Sequence, residues 1–95
     1  IIRTVHANNP NHPDIAESLN QIGLVHDNKG DYDKALECYE KSNKLIKIIY
    51  ADNPNHPDIA ESFYKIASVY DKKIDYEKAL KYYKKSYKIY KKAYI

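Results

Sequence analysis

His6, His12, His26, His56 and Cys38 are the side chains of this chain best suited to metal binding or nucleophilic chemistry. A metal site needs ligands that converge and outer partners that orient them. His12 and His56 hold the same place in two copies of one repeated string, so they belong to different units and have no evident way to converge. No metal and no cofactor is expected. Cys38 lies in an apolar helical pattern, where cysteine acts as a small buried hydrophobe. As the only cysteine it excludes an internal disulfide and fits a reducing compartment, hence a cytoplasmic location. Ser18 and Ser62 have no base near them in sequence. The pairs Asp31/Asp33 and Asp75/Glu77 stand where a helix N-terminus favours negative charge. With no Gly-rich phosphate loop either, the expectation is a protein without catalytic activity.

A second chemistry is offered by Lys81-Tyr82-Tyr83-Lys84-Lys85-Ser86-Tyr87-Lys88-Ile89-Tyr90-Lys91-Lys92, where bases interleave with aromatics as if to contact phosphates and stack on nucleobases. Residues 54–95 carry ten bases against five acids, whereas residues 1–53 carry six against eight. Such asymmetry marks either an acidic partner or the solvated face of a Lys-rich helix. Helical spacing favours the second reading, because Tyr76, Ala79, Leu80, Tyr83, Tyr87, Tyr90 and Tyr94 fall on one stripe with the lysines mainly elsewhere. Nucleic acid is therefore not the expected partner. No apolar run approaches the roughly 20 residues of a membrane span.

All of these side chains except His6 ride on two copies of one plan. Asn9-Pro10-Asn11-His12-Pro13-Asp14-Ile15-Ala16-Glu17-Ser18 returns unchanged as Asn53-Pro54-Asn55-His56-Pro57-Asp58-Ile59-Ala60-Glu61-Ser62, a period of 44 residues. Asp31-Tyr32 recurs as Asp75-Tyr76, and Lys34-Ala35-Leu36 as Lys78-Ala79-Leu80. A period of roughly 20–50 residues marks a solenoid, whose units bury their apolar faces against one another. Pro13 suits the first helical turn, and Asp14 and Glu17 put negative charge at its positive end. Ile15, Leu19, Ile22, Val25 and His26 recur at spacings of three and four, which predicts an amphipathic helix packed along that stripe. Gly30 ends it through a left-handed cap, and Asp31 can cap the helix that follows.

Tyr32, Ala35, Leu36, Tyr39, Ser42, Asn43, Ile46 and Tyr50 make the stripe of that second helix. The plan then repeats from about Pro57 to Lys73 and from about Asp75 to Tyr94. One position breaks it: Ile74 replaces Gly30. A β-branched residue disfavours positive φ. That turn therefore either takes another shape or carries strain on the order of 1 kcal/mol. Strand-period alternation is absent, and the fold expected is all-α. Residues 12–53 form one repeat and 56–95 the next, within a single fragment spanning 1–95. Residues 1–8 read as the tail of a preceding repeat helix, because Ile1–Ala7 aligns with Leu45–Ala51.

These signposts resemble the tetratricopeptide repeat, whose pattern runs large-x-x-Leu-Gly-x-x-Tyr on the first helix and Ala-x-x-x-Phe on the second. Leu19, Ile22, Gly23, His26, Gly30, Tyr32, Ala35 and Tyr39 hold those places in the first unit. Phe63, Ile66, Ala67, Tyr70, Tyr76, Ala79 and Tyr83 hold them in the second. The common repeat has roughly 34 residues. The longer unit here, with His-Pro-Asp opening its first helix, is similar to repeats of the kinesin light chain class. What the resemblance implies is a right-handed α-solenoid of antiparallel helix pairs, with the first helices lining a concave groove for an extended peptide. Groove positions would then be Glu17, Asn20, Gln21, Leu24, Asp27 and Asn28 in the first unit. In the second they would be Glu61, Tyr64, Lys65, Ser68, Asp71 and Lys72. Asn20 and Gln21 match amide positions that bond a peptide backbone, since a carboxamide both donates and accepts. Tyr64 and Lys65 replace that pair in the second unit. Members that clamp a C-terminal carboxylate use Lys and Asn where this chain has Asn20 and Leu24, so no such clamp is expected.

The function expected is a non-catalytic module that binds a peptide or partner protein in the groove. A self-assembling scaffold fragment is the alternative. The stripe on the last helix is what a following repeat would cover, so Tyr83, Tyr87, Tyr90 and Tyr94 are candidates for self-association through repeat ends or exchanged helices. Binding of an acidic partner by the last helix ranks third.

Overall fold

A computed structural model describes residues 12–95, which form four helices: α1 (Pro13–Asn28), α2 (Tyr32–Ile49), α3 (Pro57–Lys72) and α4 (Tyr76–Ala93). The expected tail at 1–8, with His6, lies outside the described residues. No strand occurs among those described. The chain is an all-helical solenoid of helical hairpins.

Each first helix begins at the proline of His-Pro-Asp, where a missing N–H breaks no helical bond. The preceding histidine completes the cap, a role its sequence position had not suggested. Nδ1 of His12 accepts from the Asp14 amide, and Nδ1 of His56 from the Asp58 amide, both at 3.0 Å. The second helices start at Asp31 and Asp75. The Asp75 carboxylate accepts from the Lys78 amide at 3.3 Å, but that of Asp31 caps nothing. Asp31 lies instead 3.8 Å from both Lys29 Nζ and His26 Nδ1, so the expected side-chain cap there is replaced by contacts with one ammonium and one imidazole.

The two turns between paired helices have one shape. Gly30 N–H donates to Asp27 and Asp31 N–H to His26, and Ile74 and Asp75 make the equivalent bonds to Asp71 and Tyr70. Both cap residues are left-handed, Gly30 at φ 81° and Ile74 at φ 65°. Of the two possibilities for Ile74, strain is the one realised.

Helices pack antiparallel to their sequence neighbours. Near the start of α1, the Ala16 carbonyl accepts from Ser42 Oγ late in α2 at 3.2 Å. Farther along α1, Gly23 lies under the Tyr39 ring, and a Cβ there would stand 2.7 Å from Tyr39 Cε1. Ala35, Leu36 and Tyr39 of α2 join Ile66 and Val69 of α3 in the core, with Tyr70 and Tyr82 packed against it. Asn43 Nδ2 donates to Ser62 Oγ at 3.0 Å across the same interface.

Equivalent residues of the two units meet different fates. Ile66 and Val69 are 1% and 0% exposed, whereas Ile22 and Val25 are 50% and 57% exposed. The α1 stripe is therefore less buried than its periodicity predicts. The reason is that α3 packs between α2 and α4, while the main neighbour of α1 is α2. Full burial of an Ile or Val side chain is worth about 1.5–3 kcal/mol, which Ile22 and Val25 forgo in part.

Candidate functional site

The groove candidates sit on α1 and α3, and two hollows between these helices collect nine of them. The first, of about 170 Å³, is lined by Glu17, Asn20, Glu61 and Lys65 together with Asp58, Ser62 and Tyr50. The second, of about 240 Å³, is lined by Leu24, Asp27, Tyr64, Lys65, Ser68 and Lys72 together with Tyr39. Lys65 borders both. Gln21, Asn28 and Asp71 line neither. Gln21 Nε2 donates to Glu17 Oε1 at 3.0 Å, and Asp71 accepts from the Tyr83 hydroxyl at 3.4 Å.

Charge divides the two hollows. In the first, Glu17, Asp58 and Glu61 face a single ammonium, and that Lys65 is already 3.7 Å from Glu61. Asp58 accepts from the Tyr50 hydroxyl at 3.0 Å, a bond that raises the Tyr50 pKa. The same Tyr50 ring stacks on His56 with centroids 3.6 Å apart. Asn20 is half-buried, and its carboxamide has no partner among the described residues, which leaves a donor and an acceptor to offer.

In the second hollow Asp27 and Lys72 offset each other, and Lys65 adds a further cation. Lys72 Nζ donates to Asp27 Oδ1 at 2.8 Å, with Asp27 buried and Lys72 half-exposed. The pair ties α1 to α3, and loss of Lys72 would strand a buried carboxylate. Burial, assisted by the Asp27 charge, pushes the Tyr39 hydroxyl up to about 12. Leu24 and Tyr64 supply exposed apolar surface beside this neutral pair. Tyr64 is held edge-on by Tyr83 at 5.3 Å.

Residues 16–42 match a model of the tetratricopeptide repeat, and residues 60–93 match a second model of the same repeat. The chain belongs to the tetratricopeptide repeat family. No curated protein matches it. Tetratricopeptide repeats are generally protein–protein interaction modules and typically non-catalytic. Among the described residues of this tetratricopeptide protein, no three His, Cys, Asp or Glu side chains gather as metal ligands, and no helix is long and apolar enough to cross a membrane. The small first-helix position of the repeat has a visible cause at Gly23, where the buried Tyr39 ring leaves no room for a methyl group.

The four tyrosines named for self-association do not share one environment. Tyr87 and Tyr94 are exposed, 63% and 73%. Tyr83 and Tyr90 are half-buried, with Tyr83 turned toward Tyr64 and Asp71 of α3, and Tyr90 stacked on Tyr94 at 6.0 Å. The α4 lysines do more than solvate. Lys85 Nζ lies 5.3 Å from the Phe63 ring and 5.4 Å from that of Tyr82, and Lys78 Nζ lies 5.4 Å from that of Tyr70. At these distances the ammonium groups are attracted to the ring faces. The interleaving of Lys and Tyr in sequence was the signal for these contacts.

Proposed function

We propose that this chain is a non-catalytic module that holds an extended peptide of a partner protein across the α1/α3 face. The observation that supports the reading is the pair of hollows that share Lys65 and are lined by nine of the positions that the repeat pattern nominates. The free carboxamide of Asn20 suits a peptide backbone. The excess of carboxylate at Glu17, Asp58 and Glu61 favours a Lys or Arg side chain on the peptide, and the Leu24/Tyr64 surface favours an aliphatic or aromatic one. The 44-residue period and the His-Pro-Asp start support a place in the kinesin light chain class of these repeats.

A random peptide display library, panned in parallel on the wild-type chain and on Asn20→Ala/Tyr64→Ala, tests this directly. Enrichment of a motif with one basic and one apolar anchor, lost in the double variant, is the expected result. No enrichment, or equal enrichment on both proteins, would overturn groove binding.

A further inference from the structure

The α2/α3 interface supplies a template for two faces that the fold leaves open. Within it, Leu36 and Asn43 of α2 are 8% and 7% exposed, and Ile66 and Val69 of α3 are 1% and 0%. Two polar contacts fix the register: Asn43 to Ser62 at 3.0 Å, and Lys73 Nζ to Asp33 Oδ1 at 2.6 Å. Advanced by the 44-residue period, the α2 side becomes Glu77, Leu80 and Tyr87 on α4. Moved back by the same period, the α3 side becomes Ser18, Ile22, Val25 and Lys29 at α1.

Among the described residues, none covers either set. Leu80 is 54% and Tyr87 63% exposed, against 50% for Ile22 and 57% for Val25. Ile74 and Tyr76, 69% and 62% exposed, extend the apolar surface at the start of α4. The chain therefore carries both halves of an interface whose middle copy it already makes internally. Charge agrees with that pairing, because Glu77 takes the place of Asp33, and Lys29 that of Lys73.

We propose that α4 of one copy docks on α1 of a second copy in the register of the α2/α3 interface, adding copies head to tail. Leu80 packs on Ile22 and Val25 of the second copy, Tyr87 covers its Ser18, and Glu77 pairs with its Lys29. Because donor and acceptor faces differ, the contact is heterologous and each added copy presents the same open α4 face again.

Sedimentation velocity over a concentration series provides the test, with Leu80→Asp and Ile22→Asp as variants at half-exposed positions and circular dichroism to establish that each is folded. Wild-type mass should rise with concentration beyond that of a dimer. Each variant alone should sediment as a single chain, since each keeps only one competent face. An equimolar mixture of the two should form a dimer and nothing larger. A wild-type chain that stays monomeric throughout would overturn the proposal. So would variants that still associate by themselves, or a mixture that does not. Exchange of the charges, Glu77→Lys with Lys29→Glu, supplies a second reading: either change alone should weaken association and the pair should restore it.

Discussion

Ile74 is the residue at which local preference and tertiary demand disagree most openly. Its turn has the same hydrogen bonds as the one at Gly30, which sits at φ 81° without cost, whereas Ile74 holds φ 65° with a branched Cβ. Left-handed backbone costs a non-glycine residue about 1–2 kcal/mol. Ile74 is also 69% exposed, so its removal sacrifices little packing. Ile74→Gly is therefore expected to stabilise the chain by about 1 kcal/mol, less some loss to greater freedom of the unfolded state. A urea titration checks it, and an unchanged or lowered midpoint would show the turn to be unstrained. The sequence exposed the anomaly by comparison with Gly30. Which of two outcomes it produced depended on whether the α3–α4 pairing could impose the turn on an unwilling residue.

At the level of the helix, the starts of α1 and α3 illustrate how far local reading reaches. The proline and acidic residues of the first turn were legible, because they act within one turn of the chain. The histidine caps were not, since His is an uncommon cap and its Nδ1 must be aimed at the second amide of the helix. At His56 the cap is doubled by the stack on Tyr50. His56→Ala should lose both, a cost of about 1–2 kcal/mol from cap and ring contact together. His56→Ser should recover the cap but not the stack, and so fall between alanine and wild type in thermal melts. A serine variant no better than alanine would mean that the Nδ1 bond contributes nothing.

For the whole molecule, the tyrosines predict how stability responds to alkali. Burial is the leading cause that raises the hydroxyl pKa of Tyr39, Tyr70, Tyr83 and Tyr90, and for Tyr50 it is the bond to Asp58. A raised pKa means that the unfolded chain gives up the proton first. The stabilisation from each protonated hydroxyl is thus complete below the ordinary value of 10.0 and is lost as pH climbs through the folded value, about 12 for Tyr39. Denaturant midpoints should hold steady up to pH 10 and fall between 10 and 12, with a smaller fall in Tyr39→Phe. A flat profile across that window, or an equal fall in the variant, would contradict the assignment.

The period of 44 residues, the helical spacing and the punctuation by Pro and Gly determined that this chain is a row of helix pairs, because those signals act over a few residues and are written twice. That nine of the nominated α1 and α3 residues line the two hollows follows from the same local signals: the register of a helix fixes which residues share its face. What only the tertiary structure decided is which copy of each stripe becomes core. Ile22 and Ile66, or Leu36 and Leu80, are interchangeable in sequence, yet burial depends on whether a neighbouring helix stands against them. The pairing of Asp27 with Lys72 across α1 and α3 belongs to the same class. Two side chains 45 residues apart meet only because stacking brings the first helices side by side, and no local pattern records that distance.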